Sequence, residues 1–236
     1  MVESKGWDWK AVSGDSKNYW LTPSVESYFL LHRWKDNGYT RFLDLGCGLG
    51  RHSILFGQNG FDVFAFDISE DALNKTQKRA EELGLSFDYK IGDMLTLPYA
   101  DESIDCILCK NVISHSDTNG VKQAISELLR VLKPDGECYL TLSSKASENY
   151  KRNWPSVDEN TTLLMIEGPE YRVPHFYADY ELIKELFSAF KILSVYHVED
   201  FYERDGIVHS SYHYHVLVKK SFELPVWQYT QEKRQV

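Results

Sequence analysis

Three glycines two residues apart, Gly46, Gly48 and Gly50, follow the run Phe42-Leu43-Asp44-Leu45 and precede Arg51-His52-Ser53. A strand that ends in such a turn and continues as a helix lets a ligand approach the backbone with no side chain in the way. The dinucleotide fingerprint requires a third glycine where Arg51 stands, so the spacing tilts away from a pyrophosphate ligand. The turn is expected to offer backbone N–H groups through Gly46, Cys47, Gly48 and Gly50. Asp44, just before it, repels phosphate and attracts an ammonium group.

Seventeen residues after Gly50, a second apolar run ends in Phe66-Asp67-Ile68-Ser69. An acid at this place can accept both hydroxyl protons of a ribose. Ser69 is the better cap for a following helix, which leaves Asp67 for a ligand. A third run ends in Gly92-Asp93-Met94. Asp93 there can take a hydrogen bond from an adenine amino group, or serve as a plain turn residue. A fourth run ends in Lys110-Asn111-Val112. All four turns fall where open α/β sheets bind ligands, at the carboxyl ends of the strands.

Among the histidines, His115 lies just past the fourth run, as a base, a pocket wall or a helix-entry residue. His175 follows Pro174 and, with Arg152, is expected to face the same pocket. His209, His213 and His215 have no carboxylate or cysteine at a recognised metal spacing and read as packed strand aromatics. Cys106 and Cys109 are spaced C-x-x-C, but within a strand they face opposite sides and read as buried small residues. No metal ligand is assigned.

The elements that position these residues alternate. Residues 23–36 read as an amphipathic helix opened by Pro23, with Val25, Phe29, Leu30 and Trp34 on its apolar face. Strands are expected at 41–45, 61–66, 86–91, 103–109 and 137–142, with helices at 51–58, 69–83 and 121–132 between them. This is the pattern of a parallel sheet with helices on both faces. Residues 145–176 then break the alternation with Pro155, Gly168, Pro169 and Pro174 amid many aromatics. That stretch is too long for a routine loop and too apolar for disorder. A helix near 179–187 and strands near 190–198 and 212–219 close the chain, the last two as an antiparallel hairpin.

The runs Leu43-Asp44-Leu45-Gly46-Cys47-Gly48-Leu49-Gly50, Phe66-Asp67-Ile68-Ser69, Gly92-Asp93-Met94 and Leu129-Arg130-Val131-Leu132-Lys133-Pro134-Asp135-Gly136 together resemble class I S-adenosylmethionine-dependent methyltransferases, small-molecule subgroup, over residues 40–143. The resemblance implies a doubly wound, mostly parallel α/β sheet of seven strands with the last antiparallel. It implies S-adenosylmethionine as cofactor. The glycine turn would hold the methionine part, Asp67 the ribose, and Asp93 with Met94 the adenine, with Asp44 near the amino group. The remaining expected cofactor contacts are Cys47, Arg51, His52, Ile68, Lys110 and Asn111; His115 and His175 are the expected catalytic residues. The Asn/Asp-Pro-Pro-aromatic motif of nucleic-acid amino methyltransferases is absent, since Lys110-Asn111-Val112-Ile113 stands in its place. A small-molecule acceptor is the expectation. The rivals are a non-catalytic binding module and, more distantly, a nicotinamide oxidoreductase.

Composition agrees. The 236 residues are 43% hydrophobic and 26% charged, which suits a globular domain. A net charge of −9 argues against a broad nucleic-acid footprint. No run approaches the ~18 apolar residues of a membrane span, and Met1 to Trp9 shows no apolar signal core, so a cytoplasmic protein is expected. The expected layout is one domain over 1–236: an N-terminal helical and aromatic segment 1–38, a cofactor core 40–143, a cap 145–176, a closing helix and hairpin 177–220, and a tail 221–236. The cap is expected to pack against Tyr19 and Trp20 over the methyl-bearing end of the cofactor.

Overall fold

A computed structural model of the chain describes Trp7, Trp9 and residues 15–204 and 206–221. The expected tail lies, from 222 on, outside the described residues, as does most of the segment before residue 15. Apolar residues on both faces make β4 (Ile104–Cys109) a central strand. Its Ile107 and Cys109 face one core cluster, and its Cys106 and Leu108 face the other. The two cysteines therefore point apart as free, buried thiols.

β1 (Arg41–Leu45), β2 (Asp62–Asp67) and β3 (Asp88–Ile91) flank β4 on one side, and β5 (Leu132–Ser144) lies on the other, all parallel. β10 (Ile207–Lys219) runs antiparallel to β5, and β9 (Lys191–Arg204) pairs with β10. This is the expected mostly parallel seven-stranded core with its last strand, β10, reversed; the structure orders it β3-β2-β1-β4-β5-β10-β9. The hairpin of β9 and β10 is longer than its apolar patterning predicted. The Lys133-Pro134-Asp135-Gly136 turn is absorbed into β5 as an irregularity in register against β4.

The helices α1 (Asp15–Leu21), α2 (Val25–Asp36), α3 (Arg51–Gln58), α4 (Glu70–Glu82) and α5 (Thr118–Val131) precede β5. Ser69 caps α4 by accepting the Ala72 N–H, with Glu70 and Asp71 in the first turn to complement the helix dipole. α5 buries Val121, Ala124, Ile125 and Leu128 on one stripe. In α2 the buried face is Leu30, Leu31 and Trp34; Val25 and Phe29 are exposed, contrary to expectation. The cause is an anchor on the other side. Glu137 of β5, fully buried, accepts two 2.7 Å bonds from Arg33 and one of 3.0 Å from the Trp34 indole, which fixes the rotation of α2. Trp34, Phe42 and Phe56 then pack together; burying Phe42 and Phe56 contributes roughly 1.5–3 kcal/mol each.

The cap inserted after β5 is α6 (Glu148–Lys151), β6 (Ser156–Asp158), β7 (Thr161–Leu163) and β8 (Pro174–Ala178). Its three strands pair antiparallel with one another. β8 also pairs parallel with the carboxyl end of β5, at Ser143 with Tyr177 and Ser144 with Ala178, so the sheet grows to ten strands. The Phe176 N–H donates to the Ser114 carbonyl past β4 at 2.8 Å. The insertion thus sits at the carboxyl ends of the strands. α7 (Tyr180–Leu186) follows, capped by Asp179. Among the described residues, no helix is long and apolar enough to cross a membrane.

Candidate functional site

Gly46, Gly48 and Gly50 all adopt left-handed backbone, with φ of 72°, 54° and 75°. Side chains are excluded at the first two by close neighbours as well. A Cβ on Gly46 would lie 2.3 Å from the Val112 side chain, and one on Gly48 2.6 Å from the Trp9 ring. The turn's N–H groups are not free, contrary to expectation. Gly46 and Cys47 donate to the Phe66 carbonyl at 2.8 and 3.0 Å, Gly48 to Asp67 Oδ2 at 2.8 Å, and Gly50 to the Cys47 carbonyl. Three donors are spent on locking the turn to β2 and the fourth closes the turn on itself, so what the turn presents is room for close approach.

Above the turn lies an open cleft. Its walls include Asp44, Gly46, Cys47, Gly48, Arg51, His52, Asp67, Ile68, Met94, Lys110, Asn111 and His115. Three expected contacts are not among its lining residues. Gly50 packs on Thr76 of α4, where its missing Cβ makes space. Asp93 turns its Oδ1 to the Leu95 N–H at 2.9 Å and so shapes the edge that Gly92 and Met94 present. His175 stands behind His115, with ring centroids 4.9 Å apart. Arg152 is exposed over the Trp154 ring, away from the cleft.

Asp44 is buried, and its Oδ2 accepts the Ser53 N–H at 2.8 Å and the Ser53 hydroxyl at 2.6 Å. Burial pushes its carboxyl up to about 6 against those bonds. Asp67 is likewise buried and its pKa is raised by burial; its second oxygen takes the Ser69 N–H at 2.9 Å. His52 is neutral, because burial drives its pKa well down. The Ser24 N–H donates to its Nε2 at 3.3 Å, so the ring proton is on Nδ1, which faces Asp44 Oδ1 at 4.0 Å. Arg51 is buried too, donating to the Tyr19 carbonyl at 3.2 Å and lying 5.0 Å over the Trp20 ring. Lys110, its pKa lowered by burial, reaches Glu26 at 3.3 Å, and His215 approaches the other Glu26 oxygen at 3.4 Å. Asn111 is held in left-handed backbone (φ 59°) by bonds to and from Thr141 Oγ1.

Trp7, Trp9 and Trp20 form the opposite wall, with mutual centroid distances of 4.6 to 5.7 Å. The aromatic crowding at the amino end was visible in the sequence, but its place over the glycine turn was not. The Trp7 indole donates to Glu170 of the cap at 2.6 Å. The cap therefore meets the amino-terminal aromatics through Trp7 rather than through the expected Tyr19 and Trp20. Glu170 itself, 3.3 Å from His115 Nε2, carried no sequence signal.

A doubly wound sheet with a glycine turn after β1, an acid closing β2 and a cleft across the strand ends defines the class I methyltransferase fold. Residues 42–136 match the model of the family described as "Methyltransferase domain". The chain is 35% identical over 120 residues to the biotin biosynthesis bifunctional protein BioHC of Cellvibrio japonicus, covering 50% of this chain and 23% of that one. It spans well under half the length of the curated relatives that head the comparison. Among solved structures, the PH0226 protein of Pyrococcus horikoshii shares the fold with a TM-score of 0.65 at 23% identity, covering 89% of this chain and 93% of that one. A SAM-dependent methyltransferase of Methanosarcina mazei does so at 0.65 and 20% identity, covering 80% and 98%.

S-adenosylmethionine is the cofactor of this class, and the cleft fits it. Asp44 and Asp67 are buried acids that pair with no lysine or arginine among the described residues. They suit a cationic amino acid and ribose hydroxyls and oppose a pyrophosphate. The aromatic wall suits a sulfonium.

Proposed function

We propose that the chain catalyses methyl transfer from S-adenosylmethionine to a small-molecule acceptor. The observation that carries this reading is one cleft with two ends: the glycine turn, Asp67 and Met94 at one, and His115 beneath the cap at the other. When bound, S-adenosylmethionine supplies a methyl on a positively charged sulfur, which an acceptor lone pair displaces in line as the C–S electron pair stays on sulfur. The protein's part is alignment and exclusion of water.

In this reading Asp44 attracts the ammonium group and the glycine turn admits the methionine chain. Asp67 takes the ribose hydroxyls. Met94 packs on the adenine, with the Asp93 turn setting its edge. Lys110 and Asn111 close the floor, and Trp7, Trp9 and Trp20 lie against the sulfonium. His115, with His175 behind it, faces the acceptor.

Calorimetry tests the first half. S-adenosylmethionine and S-adenosylhomocysteine should bind in the micromolar range, about −8 kcal/mol, and preferential binding of NAD overturns the assignment. Labelled S-adenosylmethionine with a panel of small acceptors, scored by product mass, tests the second. Binding with no turnover across the panel would leave a non-catalytic binding module.

A further inference from the structure

The cap brings Glu170 and His175 against His115, three residues drawn from two loops and β8. One nitrogen of each histidine and one carboxylate oxygen lie within 4.8 Å of one another. The two separations from Glu170 Oε1 are 3.3 Å to His115 Nε2 and 3.6 Å to His175 Nε2. A good N–H···O hydrogen bond is shorter, about 2.9–3.0 Å. Ligand atoms around a tetrahedral ion with bonds of about 2.0–2.1 Å stand about 3.3–3.4 Å apart. The measured edges match the second geometry better than the first.

The orientation of His175 strengthens the case. Its Nδ1 lies 3.1 Å from the Val173 carbonyl, which can only accept, so Nδ1 bears the proton. That bond turns Nε2 toward the carboxylate, 3.6 Å from Glu170 Oε1. Backbone anchoring of the far ring nitrogen is how metal-binding histidines are usually held, and ligating carboxylates are usually hydrogen-bonded as well. Here the Trp7 indole provides the second contact, at 2.6 Å to Glu170.

We propose that His115, Glu170 and His175 together bind one divalent transition ion of the zinc class, in the wall of the cleft. Two histidines and a glutamate leave a coordination position for an exogenous ligand. On the methyl-transfer reading above, that ligand is an acceptor hydroxyl or thiol, bound as its anion after losing its proton to solvent. The ion site itself does not depend on that reading.

The test uses chelator-treated full-length protein titrated with Co²⁺ and then Zn²⁺. The expected result is one equivalent of Co²⁺ with the visible absorption of a four-coordinate site, displaced by Zn²⁺. Glu170→Gln and His175→Ala should each weaken Co²⁺ binding by at least about tenfold. S-adenosylhomocysteine binding, measured on the same samples, checks that each variant is folded and tests the cofactor reading separately. Failure of Co²⁺ and Zn²⁺ to bind at micromolar concentration overturns the proposal. So does unchanged Co²⁺ binding in Glu170→Gln that still binds S-adenosylhomocysteine. Metal-free protein that turns over as fast as metal-loaded protein would overturn the ion's part in holding the acceptor, while the Co²⁺ titration decides the ion site itself.

Discussion

Asp67 Oδ2 accepts the backbone N–H of Gly48 at 2.8 Å, so the acid at the end of β2 also holds the glycine turn in shape. On the proposed function, binding and folding share this carboxylate. Asp67→Ala should cost about 1.5–3 kcal/mol of S-adenosylmethionine affinity, the range for hydrogen bonds to a charged group. It should also cost about 1–3 kcal/mol of stability, because the buried Gly48 N–H loses its partner. Calorimetry and urea unfolding measure the two. Unchanged affinity would place the ribose elsewhere.

Asp44 gives a pH dependence of definite sign. Its carboxyl is raised by burial to about 6 from the ordinary 3.8. Between those values the folded chain holds the extra proton, so this residue's contribution makes stability fall as pH rises through the window. An ammonium bound beside it favours the carboxylate. S-adenosylmethionine binding should therefore release a proton near about pH 5.5 and weaken by up to about tenfold per pH unit below the Asp44 pKa. Calorimetry in buffers of different ionisation heat reads the proton directly; Asp44→Asn should abolish the release.

Gly46→Ala tests the turn. The new methyl meets Val112 at 2.3 Å in a left-handed backbone. Gly60, with φ of 84° and nothing within 4 Å of a Cβ, is the control for backbone strain alone. Gly60→Ala should cost about 1 kcal/mol. Gly46→Ala should cost more and lower cofactor affinity, and adding Val112→Ala should recover part of both losses. Equal costs at the two glycines would show that Val112 yields freely.

Glu137 should be the most sensitive carboxylate for folding. It lies buried among Arg33, Trp34 and Asn37. Glu137→Ala leaves those donors without their acceptor and should cost about 3 kcal/mol in thermal or urea unfolding. A loss below about 1 kcal/mol would mean that water replaces the carboxylate.

His175→Ala should leave S-adenosylmethionine affinity within about twofold, because the residue stands outside the lining of the cleft. Turnover should fall. A large loss of cofactor affinity would show that the cap, rather than the acceptor end alone, shapes the cofactor's place.

Legibility in the sequence follows from how local each constraint is. Gly46 and Gly48 were readable because a left-handed turn between strand and helix leaves few other residues possible. The parallel sheet followed from the alternation of strands and helices, and the reversed last strand from the missing helix before it. The N–H groups of the turn were misread because their acceptors, Phe66 and Asp67, lie on another strand. Val25 and Phe29 fit a helical stripe by spacing, yet Glu137, about a hundred residues away, decides which face of α2 turns inward. Glu170 was invisible for a similar reason. It has no periodic neighbours, and its meaning arises only when β8 brings His175 beside His115.

The union of β8 with β5 makes the cap, and with it the acceptor chamber of the proposed function, part of the same hydrogen-bonded fabric as the parallel strands below the cleft. A wall built that way cannot swing open without tearing sheet bonds at Ser143 and Ser144. Amides of β8 should therefore exchange with solvent as slowly as those of β5, and the chamber should melt with the domain rather than before it. On the function proposed above, such a cap would limit acceptors by its fixed position rather than by opening, and changes in the length of this insertion would disturb folding itself.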